Sequence, residues 1–348
     1  MGLLNLKSKT ITSILLTLFS MQIAAFQRNY NHNLNEKTGF VAIAHRGASG
    51  YLPEHTLDAA TLAFMQDAHY IEQDIVLTRD NVPIVLHDIH IDTVTNVEVM
   101  FPERHRDDGR YYAIDFTWDE IQQLFVHERE DEFGNKVHPT RYAGHDTFKL
   151  SSFEQHVIHI KTLNRIFGKN VGYYPEIKAP KWHLSEGKDI TKVVVEVLTK
   201  HGLTEPAANI FIQCFDPTTL LRLKNEYKLK VNLIQLIADN SWNESSTDYD
   251  FMQSKEGLEL VASYASGIGP WLPQIYNPET KDATMLLQHA KDLGLTVHPY
   301  TFKADDLVFD MSAEALVDLL RNNLKVDGIF TDHTDIVLNI VDKTPPRK

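Results

Sequence analysis

The chain has 348 residues, 43% hydrophobic and 23% charged, the profile of a globular protein with a sizeable core rather than of a disordered or membrane-embedded one. Its 34 basic and 47 acidic residues give a net charge of −13, the wrong sign for gripping a polyphosphate. Nucleic acid is thereby disfavoured as a partner, although one arginine can still hold a single phosphate.

The first 26 residues read as a secretory signal peptide. Lys7 and Lys9 precede the apolar stretch Ile11 to Phe19, and the small residues Ala24 and Ala25 follow. That stretch is too short to span a bilayer comfortably. No cysteine lies near the cleavage region, so no lipid anchor of the bacterial lipoprotein type is available and the mature chain is expected to be free of a stable membrane anchor. The single cysteine, Cys214, sits in the apolar run "NIFIQCF" and reads as buried filler.

Beyond the leader, short β-rich runs alternate with helix-like segments, which argues for a parallel sheet. Eight runs stand out: "FVAIAH", "YIEQDIV", "VGYYPEIK", "NIFIQCF", "VNLIQLI", "SGIGP", "LTVHPY" and "DGIFTD". Eight strands suggest an α/β fold of the closed (β/α)₈ TIM-barrel type, with a doubly wound sheet as the second choice because no glycine-rich dinucleotide turn follows the first strand. Helical periodicity is clearest at residues 56–66, 190–201, 218–227, 284–293 and 313–322. The alternation fails over residues 92–151, a charged and aromatic stretch that reads as a small insertion over the barrel mouth. Its histidines, His105, His127, His138 and His145, lack tight zinc-ligand spacing and read as surface or packing residues.

Polar residues end the strand-like runs: His45 and Arg46, Glu72 and Asp74, Glu176 and Lys178, then Gln213, Gln235, His298 and Asp332. In a barrel these ends share one face, where active sites are built. A two-residue turn at Asp80 and Asn81 would fold the second strand back as a hairpin and set Asp74 opposite His87. Glu72 shares the face of Asp74, because side chains alternate along a strand. With Glu176 the cluster becomes a hard-oxygen set suited to Ca²⁺ or Mg²⁺. The plainer alternative is that these acids form ordinary salt bridges with Arg46 or Lys178. His45 and His87 suit general acid and base roles, since imidazole titrates near neutral pH, and Arg46 with Lys178 suits a phosphate.

The segments "AHRGASGYLPEHT", "IEQDIVLTRDNVPIVLHD", "YPEIK" and "GIFTD" together resemble the glycerophosphodiester phosphodiesterase family, closest to its secreted or periplasmic bacterial members. The resemblance extends through "DGRYYAIDFTWDEI", "QCFD", "SWNE", "GIGP" and "VHPYT", so that residues 38–345 form one such domain. It implies a TIM barrel that hydrolyses glycerophosphocholine, glycerophosphoethanolamine and related diesters to sn-glycerol 3-phosphate and an alcohol. His45 and His87 match the family's catalytic histidines, Glu72, Asp74 and Glu176 its divalent-metal ligands, and Arg46 its phosphate-binding arginine. Glu54 falls at the glutamate of the "PE-x-T" segment, where His55 replaces the commoner asparagine, and "TDHTD" departs from the commoner "TD-x-P" ending. Ca²⁺ is favoured over Mg²⁺ by the resemblance alone. Phe215, Trp271 and Tyr300, at or near later strand ends, are candidates to line the pocket, with core packing the plainer role for each taken singly. Two other functions compete: a phospholipase acting on intact lipid, disfavoured by the acidic charge and the lack of a basic amphipathic segment, and a surface interaction protein on the same scaffold.

Overall fold

The computed structural model describes residues 39–144 and 147–343, so the signal peptide expected over residues 1–26 and His145 lie outside the described residues. Eight parallel strands fall on the eight anticipated runs: β1 (Val41–Ala44), β2 (Tyr70–Leu77), β4 (Gly172–Ile177), β5 (Phe211–Cys214), β6 (Asn232–Ile237), β7 (Gly267–Pro270), β10 (Thr296–Val297) and β11 (Gly328–Thr331). A short arm, β3 (Pro83–Val85), pairs antiparallel with β2, and β8 (Tyr276–Asn277) forms a small separate ribbon with β9 (Asp282–Ala283). The sheet runs β10-β7-β6-β5-β4-β2-β1-β11. Its ends are joined by hydrogen bonds from the Asp327 amide to the Val297 carbonyl (3.1 Å) and from the Phe330 amide to the Pro299 carbonyl (3.0 Å). Ring closure of this kind defines a barrel and removes the sheet edges.

Apolar residues sort to the two faces of these strands. Ile43, Tyr70, Tyr174, Ile234 and Phe330 fill the interior of the cylinder, and the larger core lies between strands and outer helices. Helix Leu57–Met65 begins where Thr56 accepts a hydrogen bond from the Ala59 amide, a cap contributing about 1 kcal/mol. Helices Ile190–Lys200 and Met285–Asp292 stop just before Gly202 and Gly294, whose positive φ values of 71° and 68° end a helix without strain. Helices Phe153–Phe167, Pro217–Asn225, Lys255–Tyr264, Ala313–Asp318 and Thr334–Lys343 also belong to the outer layer.

The hairpin departs from the register expected of it. Thr78 and Val82 bracket a three-residue loop, with the Thr78 amide donating to the Val82 carbonyl and Asn81 adopting φ 62°. Asparagine tolerates that left-handed conformation, so the longer loop replaces the two-residue turn. The register becomes Ile75 opposite Val85, and the Leu86 amide, rather than His87, meets the Asp74 carbonyl. A one-residue slip exchanges the faces of a strand, and Leu86 accordingly joins Val76 and Ile84 in a second apolar cluster. His87 lies two residues beyond the end of β3 and reaches the cavity from the departing chain.

Residues 92–151 bring their own core to this cluster. Val94, Val97, Tyr111, Phe116, Ile121, Leu124, Val126 and Phe148 pack against the hairpin. Helix Trp118–Ile121 carries a reciprocal cap, in which Thr117 and Glu120 satisfy each other's amides.

Candidate active site

The first strand ends at Ala44, and the His45 amide still donates to the Thr331 carbonyl of β11 at 2.9 Å. The chain then reverses through Arg46 (φ 59°) and Gly47 (φ 84°). A Cβ at Gly47 would lie 2.8 Å from the backbone carbon of Ala59, so a glycine is what lets this turn press against the first helix. The turn leaves the Arg46 amide donating to Glu72 Oε2 at 2.8 Å.

Strand register assembles the acids. Asp74 pairs with Glu176, and Glu176 with Gln213, so three polar side chains form one row across β2, β4 and β5, with Glu72 on the same face of β2. Glu72, Asp74 and Glu176 are buried and offer carboxylate oxygens within 4.8 Å of one another. Burial pushes the Glu72 carboxyl well above the usual range, and the charge of Asp74 adds to the effect. Glu176 is pushed up by burial too, with Lys178 pulling it down and Asp74 up. Burial also acts on Asp74, but the hydrogen bond from His55 Nε2 (2.8 Å) and the charges of His55, Lys178 and His87 together outweigh it and hold that carboxyl low.

The salt-bridge alternative is partly realised. Lys178 Nζ lies 2.9 Å from Glu176 Oε1, and Arg46 Nε lies 3.7 Å from Asp74 Oδ2. Asp74 Oδ1, however, is buried without a hydrogen-bond partner among the described residues. A buried, unpaired carboxylate oxygen facing two other carboxylates is costly unless a cation joins them. The donor set therefore fits a hard divalent ion.

Each histidine is held through Nδ1 by a carboxylate. His45 Nδ1 lies 2.6 Å from Asp332 Oδ1, and His87 Nδ1 lies 2.7 Å from Asp88 Oδ1. Such a partner fixes the tautomer and leaves Nε2 for proton transfer. Burial, with the Arg46 and Lys178 charges, pushes His87 down to about 3, and burial lowers His45 as well, against the pull of Asp332. Both rings line a cavity of about 370 Å³, which also exposes Arg46, Glu72, Glu176 and Lys178. Its outer wall is aromatic: Phe215, Tyr300, and the Trp242 and Trp271 rings, 5.2 Å apart edge to face, with Glu244 beside them.

Comparison with known proteins places this geometry. Residues 45–336 match the glycerophosphoryl diester phosphodiesterase family. The chain belongs to that family. A glycerophosphodiester phosphodiesterase of Haemophilus influenzae is 37% identical over 95% of this chain and 97% of its own length, and one of Treponema pallidum is 31% identical over 86% and 91%. Among solved structures, a putative glycerophosphoryl diester phosphodiesterase from Silicibacter pomeroyi superposes with a TM-score of 0.66 at 18% identity, covering 88% of this chain and 94% of that one. An Oleispira antarctica phosphodiesterase in complex with the product sn-glycerol-3-phosphate gives 0.59 at 18% identity, covering 87% and 96%.

As a member of the glycerophosphoryl diester phosphodiesterase family, the protein brings most of its anticipated site residues to one cavity: His45, His87, Arg46, Lys178, Phe215, Trp271, Glu72 and Glu176 line it, and Asp74 stands behind them. Glu54 lies instead on a smaller adjoining cavity, where Arg46 and Arg129 occupy both its oxygens. Sequence reasoning did not reach Arg129, Arg141 or Asp88, and it noted His55 only as a replacement for asparagine and Asp332 only as a strand-end polar residue. His55 accepts at its own carbonyl the Nε2 hydrogen of buried His156, on helix Phe153–Phe167, so a line of two imidazoles runs from the outer layer to Asp74. The one signal in the sequence was His55 in place of the commoner asparagine of the "PE-x-T" segment; in the structure it adopts φ 60°.

Proposed function

We propose that this enzyme hydrolyses glycerophosphodiesters such as glycerophosphocholine and glycerophosphoethanolamine to sn-glycerol 3-phosphate and an alcohol, in a metal-dependent reaction using two histidines. The observation that carries this reading is the meeting of two carboxylate-held imidazoles, a paired arginine and lysine, and three buried acids around one cavity. Arg46 and Lys178 grip the phosphoryl oxygens. One histidine Nε2 takes the proton from the attacking oxygen, either that of water, which yields sn-glycerol 3-phosphate directly, or that of the adjacent glycerol hydroxyl, which yields a transient cyclic phosphate that water then opens. The other delivers a proton to the departing alkoxide as its bond to phosphorus breaks. Glu72, Asp74 and Glu176 would hold a divalent cation, Ca²⁺ in preference to Mg²⁺, which would supply Lewis-acid charge stabilisation to the phosphoryl group. The aromatic wall with Glu244 suits a cationic alcohol. The segment over residues 92–151 roofs the mouth, and the leader pattern at residues 1–26 supports a periplasmic or secreted enzyme.

The test is a coupled assay for glycerol 3-phosphate release with chelator, with Ca²⁺ or Mg²⁺ restored, and with His45→Ala and His87→Ala. Each histidine variant is expected to lose about 10²–10⁴-fold in turnover. Activity that survives chelation and both variants overturns the mechanism, and activity confined to intact phospholipid overturns the substrate class.

A further inference from the structure

Both histidine-holding carboxylates are themselves held, and by the same segment. Asp332 gives Oδ1 to His45 and Oδ2 to an Arg141 NH2 group at 2.7 Å. Asp88 gives Oδ1 to His87 and Oδ2 to Arg129. Arg129 and Arg141 belong to the stretch 92–151, far from β1 and β11 along the chain. Neither guanidinium is free for an anion. Arg141 spends Nε and NH2 on Asp305 (2.8 and 2.9 Å) and NH1 on the Ser49 carbonyl. Arg129 spends Nε and NH2 on Glu54 (3.0 and 2.6 Å), whose Oε2 also accepts from Arg46.

From this duplicated relay we propose that Arg141 and Arg129 are positioning residues for catalysis, each clamping the carboxylate that sets the tautomer and orientation of one histidine, so that residues 92–151 are part of the catalytic apparatus. The inference rests on the reading of His45 and His87 as the acid and base pair. The physical basis is that a carboxylate free to rotate at a histidine Nδ1 holds the ring poorly, whereas one whose second oxygen accepts from a guanidinium, itself locked by its Nε and NH2 fork on Asp305 or Glu54, presents a single lone pair in a single direction. Arg129 has a second route, through Glu54, to the phosphate-gripping Arg46.

The deciding experiment is a double-mutant cycle on the metal-loaded enzyme with glycerophosphocholine, using Arg141→Ala, Asp332→Asn and their combination. Outer contacts of this kind are worth about 10–100-fold, so Arg141→Ala is expected to lower kcat by that factor with KM nearly unchanged. On the Asp332→Asn background the same substitution is expected to cost almost nothing more, because its route to His45 has already been cut. Losses that multiply, or a rise in KM with kcat preserved, would mean that Arg141 binds substrate or acts independently, and would overturn the proposal. If Arg141→Ala does not fold, as shown by its melting temperature, the Arg129→Ala and Asp88→Asn cycle decides: the kcat loss is expected to vanish on the Asp88→Asn background, while the route through Glu54 to Arg46 shows separately as a rise in KM on both backgrounds. A His45→Ala enzyme that stays active sinks the acid and base reading instead, and so separates the two failures.

Discussion

Removing the cation should make the protein's stability fall as pH rises, and the effect can be sized from the acid cluster. Two unit charges 4.8 Å apart, the limit that encloses the oxygens of Glu72, Asp74 and Glu176, repel by about 3–4 kcal/mol at an effective dielectric constant of about 20. Lys178 and Arg46 offset part of this. Glu72 and Glu176 consequently bind protons in the folded, metal-free state at pH values where the unfolded chain has already released them. Because the folded state holds more protons in that window, stability declines as pH rises from the ordinary glutamate value through the raised ones. Asp74 works in the opposite sense, but only below the ordinary aspartate range.

A cation displaces those protons, so its apparent affinity should rise about tenfold per pH unit for each proton released. At a hundred times its dissociation constant it adds about 2.7 kcal/mol, or roughly 5 °C in melting temperature for a chain of this size. The assay is thermal unfolding of chelated protein with and without Ca²⁺ or Mg²⁺, from about pH 5.5 to about pH 8, with calorimetric measurement of proton release. A gap that widens with pH is expected. A gap of constant size, or none, would falsify the account of the cluster as an ion site and favour the salt bridges.

Two other outcomes follow from the geometry. Trp271→Ala, at the aromatic mouth, is expected to raise KM about 5–10-fold for glycerophosphocholine, the loss of one cation–π contact, and distinctly less for glycerophosphoglycerol, whose alcohol is uncharged; equal effects on both would remove the head-group role. Gly47→Ala meets both a positive φ and the Ala59 backbone, and is expected to cost roughly 2–4 kcal/mol, read as a lowered melting temperature, whereas an unchanged value would contradict the turn geometry.

What the residue order revealed, and what it hid, divides by distance along the chain. Strand positions and strand-end chemistry were legible because each is local: an apolar run, then His45, or Glu72 and Asp74 two apart. The hairpin register was not, since Asp80 and Asn81 suit either a two- or a three-residue loop, and only the Thr78 side chain, bonded to Asp80 and to the Val82 amide, favours the longer one. Helix Phe153–Phe167 was missed where it emerges from the irregular segment, and Lys255–Tyr264 because Gly257 interrupts its pattern; that glycine lies against the Phe251 carbonyl, where a Cβ would come within 2.2 Å. The arginine clamps were invisible because charge alone does not say that Arg141 meets an acid 191 positions away.

The imidazole line from His156 through His55 to Asp74 bears on how damaging substitutions in such an enzyme are ranked. His156 projects from a peripheral helix and touches no ligand, so sorting positions by proximity to the cavity would score it as harmless packing. Yet its ring nitrogen anchors the peptide that carries His55, and a swap to leucine there would loosen the brace on an acid two layers inward. Remote lesions with local symptoms are what this wiring leads one to look for.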